Sequence, residues 1–348
     1  MGKINVFLLY LLAPFIALFL VGYDFQEDSK KLELPMEFVG EQMDTLYSEI
    51  EKLERKVDDL GMIIDRQTEV FNVQDEQIAH LSESSSSHKE LSDDIYEKKI
   101  LDMLGPATEN YRSDRVEIKI FPLAELGYRG YIAKVKLFDP KAFKVVLGKD
   151  RLGELETISS AAKRKNAILA INGGGFYTEK RSGTPYAQMI GNTVIDGMLV
   201  EPFNGYPGDL FFAGINKSGQ VIGTVPKTES DLMELQPYQG TSFIPVLLQR
   251  GKKVEIPEKW KKTNQPRTII GKYANDDLIM IVIDGRQGNW SVGVTLELLQ
   301  DKLLALGVKE AYNLDGGGSS AMYYDGKLLN RPSDGKERPV ANHIVILP

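Results

Sequence analysis

Two apolar runs that flank one amphipathic helix constrain the fold of this chain most strongly. The first run, LIMIVID at 278–284, is typical of a strand that is covered on both faces. After it, Thr295 can cap a helix with leucines along one face, and AYNLD at 311–315 forms the second run. This order predicts a βαβ unit whose two strands run parallel, either adjacent or as near neighbours.

A polar residue ends each of three buried strands and is followed by glycine. Asp284 and Asp315 end the two runs of the βαβ unit, and Asn172 ends AILAIN at 167–172. One Asp-Gly pair is an ordinary turn signal, but ligands of open α/β sheets bind outside the carboxyl ends of strands. The recurrence favours a shared pocket floor over three unrelated turns.

The stretch NLDGGGSS suggests an anion site after Asp315. Successive glycine amides can turn inward as an anion-binding nest, and serine hydroxyls can add donors. No Gly-Lys-Ser/Thr follows, which excludes a Walker P-loop, and no helix follows, which excludes a dinucleotide fingerprint. The predicted binding residues of the two glycine-rich segments are Asn172, Gly173, Gly174, Gly316, Gly317, Gly318, Ser319 and Ser320.

Three arginines offer guanidinium groups for a phosphate. Arg267 lies in QPRTIIG, Arg286 in DGRQG and Arg338 in KERPVANH, a segment that also contains Asn342. Bidentate pairing suits phosphate oxygens, although most arginines are simply surface charge. We expect these arginines to bind a phosphate, with Arg267 as the first candidate.

Composition excludes several classes of function. The net charge of −7 argues against a nucleic-acid surface, and the absence of cysteine excludes disulfides, thiolate metal sites and a cysteine nucleophile. The three histidines, His80, His88 and His343, are too few and too scattered for a HExxH or three-histidine zinc site. His343 is either a polar contact near the pocket or a residue of the last strand. Nothing in the sequence requires a cofactor, although paired carboxylates leave Ca²⁺ or Mg²⁺ open.

The N-terminal segment predicts a membrane anchor. Residues 4–22 contain no charge and are about long enough to span a bilayer, and no small-residue cleavage site follows. We therefore expect an uncleaved signal anchor at 1–25, instead of a cleaved signal peptide. The short N-terminal tail is expected to stay inside, which places a single-pass protein in the cell membrane with its catalytic domain outside the cytoplasm.

Residues 36–81 carry a heptad pattern with β-branched residues at a and leucine at d, as in Ile50, Leu53 and Val57. This pattern favours a parallel homodimeric coiled coil over a single amphipathic helix. Residues 82–106 are expected to form a polar hinge and a short helix that ends at Gly105-Pro106. Residues 107–348 then form the catalytic domain. Its predicted fold is α/β (mixed α+β), with a mixed sheet, the βαβ unit and flanking helices.

Five segments of this domain, in order, resemble the phosphodiester glycosidase family: AINGGGFY, PRTIIG, IVIDGRQGNWSVGVTLELLQDKLLALG, AYNLDGGGSSAMYYDG and RPVANHIVI. The resemblance covers roughly 107–348. It implies hydrolysis of a sugar-1-phosphodiester, such as that of N-acetylglucosamine, at the sugar C–O bond. The products would be free sugar and a phosphomonoester. For this reaction the resemblance implies catalytic roles for Asp315, Asp284 and Arg267, and binding roles for Arg286, Arg338 and Asn342.

The reach of the predicted coiled coil from the membrane suggests the substrate: a phosphorylated glycan of a cell envelope or exopolysaccharide.

Two alternatives keep this fold. One is a catalytically inactive module that binds phosphorylated glycans, because family likeness alone does not prove activity. The other is a metal-assisted phosphodiesterase that uses the paired aspartates and breaks the P–O bond. The reaction products separate these alternatives.

Overall fold

The structure is a computed structural model that describes residues 36–205 and 210–348, together with Pro14, Phe15 and Ala17. The predicted signal anchor at 1–25 therefore lies outside the described residues, apart from these three. Within the described part of the chain, no helix combines the length and the apolar character that crossing a bilayer requires.

A single helix of 69 residues precedes the strands. It runs through the serine-rich stretch where a polar hinge was predicted, so the secondary structure there is helical. Serine lowers helix stability only slightly and no glycine or proline interrupts the stretch, so nothing there breaks the helix. Gly105, with φ +79°, ends it as expected. The helices of the described residues are α1 (Met36–Leu104), α2 (Ile158–Lys165), α3 (Glu229–Met233), α4 (Glu258–Lys261) and α5 (Leu296–Ala305).

The strands of the described residues are short and follow one another closely. In chain order they are β1 (Glu109–Arg112), β2 (Val116–Glu125), β3 (Tyr128–Leu137), β4 (Phe143–Leu147), β5 (Leu169–Asn172), β6 (Phe176–Arg181), β7 (Thr184–Met189), β8 (Val194–Ile195), β9 (Met198–Leu199), β10 (Phe211–Asn216), β11 (Val221–Thr224), β12 (Pro237–Phe243), β13 (Val246–Gln249), β14 (Lys252–Lys253), β15 (Arg267–Lys272), β16 (Leu278–Ile283), β17 (Glu310–Leu314), β18 (Met322–Tyr324), β19 (Lys327–Leu328) and β20 (Asn342–Ile346).

The largest sheet has eight strands in the order β1-β2-β3-β16-β15-β17-β13-β14. Two five-stranded sheets have the orders β11-β10-β12-β8-β9 and β19-β18-β5-β20-β4, and β6 pairs with β7. Every pair of strands described in these sheets is antiparallel. The predicted mixed sheet is therefore wrong, and the fold is α+β with mainly antiparallel sheets.

The predicted βαβ unit is present in a modified form. β16 and β17 both pair antiparallel with β15, which lies between them, so they run parallel to each other as near neighbours. Their sequences cannot show the inserted strand, because β15 reaches this position through its own tight hairpin to β16. The helix between the two strands is α5, which Thr295 caps as expected.

The continuous apolar run of β16 is explained by burial on both faces. Met280 and Val282 belong to the core between the large sheet and the five-stranded sheets, whereas Ile281 and Ile283 belong to a second core beneath α5. Alternate residues of a strand point to opposite faces, so both faces must be apolar. This confirms the prediction of a strand covered on both sides.

The last turns of α1 belong to the folded domain. The chain divides into two compact units between Ser86 and Ser87, and the second unit includes these turns. Ile100 is fully buried in the core beneath α5, and Glu97 accepts a 2.8 Å hydrogen bond from Lys119 on β2. The domain boundary predicted at 106–107 therefore lies earlier, at Ser87, because the helix supplies core residues.

Candidate active site

The site lies at one edge of the eight-stranded sheet, where β15 begins and β16 and β17 end. Arg267 pairs with Ile283, and Thr268 pairs with Leu314. Because the central strand runs opposite to its two neighbours, its first residue lies between the residues that follow them. This register brings Arg267 to the same edge as Asp284 and Asp315.

A cavity of about 300 Å³ opens at this edge. Six of the residues singled out from the sequence line it: Arg267, Arg286, Asp315, Gly316, Gly317 and Arg338. The remaining lining residues are Phe243, Ile244, Trp260, Thr263, Gln265 and Asn313. The structure thus joins the DGGG loop and all three predicted arginines around one space.

Asp315 supplies the carboxylate among the residues that line this cavity. Burial raises its pKa to about 6, against the opposing effects of a hydrogen bond from Ser319, one from the Gly316 amide and the charge of Arg338. The Gly316 amide donates to Oδ1 at 2.9 Å. A carboxyl group with a pKa near 6 can take up and release a proton close to neutral pH, which suits general acid–base chemistry.

The three arginines give the cavity a positive field. Arg267 is 7% exposed and donates to the carbonyls of Thr263 and Val294 at 2.9 and 3.3 Å. Burial and the neighbouring Arg286 lower the Arg267 pKa to about 10. Among the described residues neither of these arginines forms a salt bridge, whereas Arg338 pairs with Asp334 at 2.8 Å. Two neighbouring cations without a salt-bridge partner have the charge that an anion requires.

The glycine triplet does not form an open nest, contrary to the sequence-based interpretation. The Gly317 amide donates to Pro266 at 3.0 Å, and the Ser319 and Ser320 amides donate back into the loop at 3.2 Å. With the Gly316 amide bonded to Asp315, these donors are used within the protein. The glycines instead allow close packing, because a Cβ on Gly318 would overlap the Arg338 guanidinium.

Asn172 and its neighbours form a buried structural network, not a wall of the cavity. Asn172 Nδ2 donates to the Asp315 carbonyl at 2.6 Å, and its Oδ1 accepts from Thr268 at 2.7 Å and from the Ala321 amide at 3.3 Å. Asn342 accepts from the Gly174 amide at 2.8 Å. Both asparagines are 0% exposed, so the structure does not place them, Gly173 or Gly174 against a ligand.

Asp284 lies behind the cavity and not in its wall. Its carboxylate accepts from Trp290 Nε1 at 2.8 Å, and from Asn330 Nδ2 and the Arg331 amide at 2.9 Å each. Burial raises its pKa, and these three donors oppose that rise. With its oxygens occupied and 1% exposure, Asp284 ties the loop that carries Arg286 to the loop at 330–331.

The remaining predicted polar residues are also buried. Ser319 bonds to Asp315, whereas the Ser320 hydroxyl has no partner among the described residues. His343 is a residue of β20 whose Nε2 contacts the Glu156 carbonyl at 2.9 Å, and burial lowers its pKa. Of the two interpretations left open for His343, the structure supports the strand residue.

The sequence interpretation did not single out Asn313, Phe243, Ile244 and Trp260. Asn313 could have been found, because it lies two residues before Asp315 and alternate strand residues share a face. The other three come from segments distant in sequence, and nothing in their local pattern indicates a site.

No group of three or more metal-binding side chains occurs within the part of the chain that the structure describes. Of the two aspartates considered as cation ligands, only Asp315 lines the cavity. The donors that line the cavity are mostly guanidinium groups, which repel a cation.

Comparison with known proteins adds family information to this geometry. The model of the phosphodiester glycosidase family matches residues 165–347. An uncharacterized protein derived from the SPbeta prophage of Bacillus subtilis is 28% identical over 197 residues, which are 55% of this chain and 29% of that protein. Mouse N-acetylglucosamine-1-phosphodiester alpha-N-acetylglucosaminidase is 28% identical over 194 residues, which are 51% of this chain and 36% of the mouse protein.

Among solved structures, the catalytic domain of the zebrafish N-acetylglucosamine-1-phosphodiester alpha-N-acetylglucosaminidase shares the fold. The TM-score is 0.54 at 24% identity, over 70% of this chain and 87% of that chain. The chain spans only about a third of the length of the curated relatives it matches.

Proposed function

Because the chain belongs to the phosphodiester glycosidase family, we propose that it hydrolyses a sugar-1-phosphodiester at the sugar C–O bond. The products are a free sugar and a phosphomonoester. The observation that carries this proposal is the cavity in which Arg267, Arg286 and Arg338 surround Asp315. One carboxylate beside several guanidinium groups suits a reaction in which a sugar carbon is attacked and a phosphate departs.

Asp315 acts as the base in this reaction. Its ionised carboxylate takes a proton from water while the water oxygen bonds to the anomeric carbon. The bond from that carbon to the phosphate oxygen breaks, and its electron pair leaves with the phosphate. The sugar carbon is oxocarbenium-like in the transition state, so the negative carboxylate also stabilises it.

The arginines bind the leaving group and carry its new charge. A phosphomonoester is a weak base, so its departure needs charge stabilisation more than a strong general acid. Arg267 and Arg286 lack a salt-bridge partner among the described residues, and a substrate phosphate would supply it. This explains how one cavity carboxylate suffices where most glycosidases use two.

Asp284 is a positioning residue in this proposal. Three hydrogen bonds hold its carboxylate in place, and through Asn330 and Arg331 they link the two loops next to the cavity. This replaces the catalytic role expected of Asp284 from the sequence.

The substrate is proposed to be an N-acetylglucosamine-1-phosphodiester in a phosphorylated glycan of the cell envelope. The sugar is suggested by the name of the mouse relative, which aligns with 51% of this chain at 28% identity. A location outside the cytoplasm, in a single-pass membrane protein, is suggested by the uncharged residues 4–22. Proteolysis of intact cells with a membrane-impermeant protease would test the location, since an internal domain would stay intact.

The long helix is proposed to form a parallel homodimer. Its heptad residues Ile50, Leu53, Val57 and Leu60 are 43–65% exposed in the single chain, so an apolar stripe stands uncovered. The chain has no cysteine, so Leu53→Cys introduces one thiol per chain. A parallel dimer should form a disulfide there under mild oxidation, whereas a monomeric helix should not.

A product analysis tests the reaction. The full-length protein in detergent is incubated with a synthetic N-acetylglucosamine-1-phosphodiester, and both possible products are quantified. We expect free reducing sugar and phosphomonoester, lost in Asp315→Asn and Arg267→Ala. Asp325→Asn and Arg151→Ala, at exposed positions, are matched controls that should keep full activity.

Two results would reject the proposal. Sugar-1-phosphate as the product would indicate P–O cleavage, which would make the protein a phosphodiesterase. Binding of the intact substrate without turnover would indicate a phosphoglycan-binding module.

A further inference from the structure

We propose that Arg129, Trp290 and Arg331 form a second phosphate site, which binds the next phosphate of the glycan while the first phosphate occupies the cavity. This inference rests on the proposed function and deepens it, because the substrate becomes a glycan with phosphates in series. None of the three residues lines the cavity, and the proposed reaction gives neither guanidinium group a role.

The first observation is a pair of guanidinium groups on one indole ring. The Cζ atoms of Arg129 and Arg331 lie 4.6 and 3.7 Å from the centre of the Trp290 ring, and the sum of these lengths, about 8 Å, is their largest possible separation. Phosphate oxygens point in different directions and accept charged N–H groups at about 2.8 Å, so one phosphate can bond to both arginines. Both arginines are exposed, so a ligand can reach them.

The second observation is that neither guanidinium group has a carboxylate partner. Among the described residues, the other cations that lie over aromatic rings each form a salt bridge: Arg112 with Glu117, Lys144 with Asp196 and Arg181 with Glu179. Arg129 and Arg331 form none within the same part of the chain. Two like charges held close together repel each other, and an anion between them relieves that repulsion.

The third observation is that hydrogen bonds hold the pair in place without a ligand. Trp290 Nε1 and the Arg331 amide donate to the Asp284 carboxylate at 2.8 and 2.9 Å. The Asp284 amide donates to the Arg129 carbonyl at 2.8 Å, and the Arg129 amide donates to the Ser291 hydroxyl at 3.1 Å. Asp284 therefore anchors all three residues. A site that is ordered in advance loses less conformational entropy when it binds.

The fourth observation is that the loops of this site also carry cavity arginines. The loop between β16 and α5 contains Arg286 and Trp290, and the loop between β19 and β20 contains Arg331 and Arg338. Gln287, next to Arg286, joins the two loops, because its Nε2 donates to the Arg331 carbonyl at 3.2 Å. A glycan whose first phosphate binds Arg286 therefore has a second pair of arginines nearby for its next phosphate.

The fluorescence of Trp290 tests whether phosphate binds there. The chain has two tryptophans, so Trp260→Phe in the full-length protein leaves Trp290 as the only one. Inorganic phosphate is titrated into this protein, and a phosphate beside the indole should change its emission in a saturable way. We expect Arg129→Gln and Arg331→Gln each to raise the phosphate Kd by about 10-fold or more, because each removes charged hydrogen bonds.

An arginine with a carboxylate partner provides the matched control. Arg112 also lies over an aromatic ring, that of Phe138, and is exposed, but it pairs with Glu117. Arg112→Gln should therefore leave the phosphate Kd unchanged. No saturable response of Trp290, or the same Kd in all of these variants, would overturn the inference.

Synthetic glycan fragments test whether the site serves the substrate. One fragment has a single sugar phosphodiester and the other has two in series, and both are titrated into the full-length Asp315→Asn protein. We expect the second fragment to bind about 10- to 100-fold more tightly, the range typical of hydrogen bonds between charged groups. Adding Arg129→Gln or Arg331→Gln should abolish this ratio, whereas the affinity for the first fragment should stay the same.

The ratio between fragments is measured in one preparation, so a partly unfolded sample does not change it. A Trp290 response to inorganic phosphate with equal binding of both fragments would indicate a site for free phosphate, which would overturn the inference. The same ratio with and without the two arginines would also overturn it. If the wild-type protein released no free sugar while the arginine-dependent ratio persisted, the proposed reaction would fall and the second phosphate site would stand.

Discussion

The chain contains two GGG stretches that look alike in sequence, Gly173–Gly175 and Gly316–Gly318, and they serve different purposes. Each follows a polar residue at the end of a buried strand. The first is enclosed by Asn342 and Ser242, whereas the second lies against Arg286 and Arg338 at the cavity. This difference indicates that glycines at the end of a strand allow close packing. Whether a ligand can reach them depends on the residues that surround them.

The largest expected effect comes from replacing Asp315, the polar residue that precedes the second GGG stretch. Asp315→Asn should lower kcat by about 10³-fold or more, because it removes the base while keeping the shape. The rate of product formation at saturating substrate concentration measures this change in kcat. Asp284→Asn provides the companion measurement: it should reduce both the thermal midpoint and kcat, yet leave the acidic limb of the pH profile in place. A limb that vanished with Asp284 would make that residue the base.

Asn172→Ala should act on stability and not on the pH profile. The change leaves the Asp315 carbonyl, the Thr268 hydroxyl and the Ala321 amide unpaired, which should lower the free energy of unfolding by about 3 kcal/mol. Denaturant unfolding measures the change, and Asn110→Ala should shift it by less than about 0.5 kcal/mol. A stable variant with a strongly raised KM would instead restore Asn172 as a substrate ligand.

Alanine in each motif sharpens the comparison further. Gly174→Ala places a methyl group against the Ser242 carbonyl, and we expect a loss of about 2 kcal/mol in unfolding free energy with an unchanged KM. Gly317→Ala must adopt φ +61° and meets Arg286 Nη2 at 3.1 Å, so we expect about 1 kcal/mol of destabilisation and a higher KM. The reverse assignment of these KM effects would contradict the comparison.

The smallest expected effect is a shift of the acidic limb in the pH profile of kcat/KM. Because the ionised Asp315 is the proposed base and its pKa is about 6, kcat/KM should fall as the pH drops below that value. The charge of Arg338 lowers this pKa, so Arg338→Gln should move the limb to higher pH. Lys336→Gln, at an exposed position two residues earlier, serves as the control. A limb that moved to lower pH, or stayed in place, would show that Arg338 does not act on Asp315.

The same pKa has a consequence for stability with a definite sign. The folded chain holds the Asp315 proton up to about pH 6, whereas an aspartate with its ordinary pKa of 3.8 releases it earlier. The folded state therefore binds the proton more tightly, and the contribution of Asp315 to stability is lost as the pH rises through this window. Asp315→Asn should remove that part of the pH dependence.

Local patterns in the sequence predicted much of the sheet edge at which the site lies. The apolar run of β16, the Thr295 cap and the parallel course of β16 and β17 all follow from residues close together in the chain. The insertion of β15 between those strands depends on pairings such as Thr268 with Leu314, which a local pattern does not contain. For this reason the antiparallel character of the sheet was missed.

The same limit explains the errors within the site. The sequence grouped Asp315 with the arginines, and these residues line one cavity in the structure, because strand ends and glycines indicate where a cavity forms. It could not show that three donors occupy the Asp284 carboxylate, since Trp290, Asn330 and Arg331 meet it only in the folded chain. Whether a polar strand end is free or occupied is a property of tertiary structure.

The helix end that is buried in the domain bears on how this protein can be divided and recombined. The family match begins at residue 165, yet β3 pairs with β16 along its length and Ile100 closes the core beneath α5. A gene fusion or expression fragment cut at the family boundary would expose the edge of β16 and remove that core residue. The last turns of the helix and the strands that follow form one compact unit from Ser87 onward, so a transplanted domain must carry these helical turns with it.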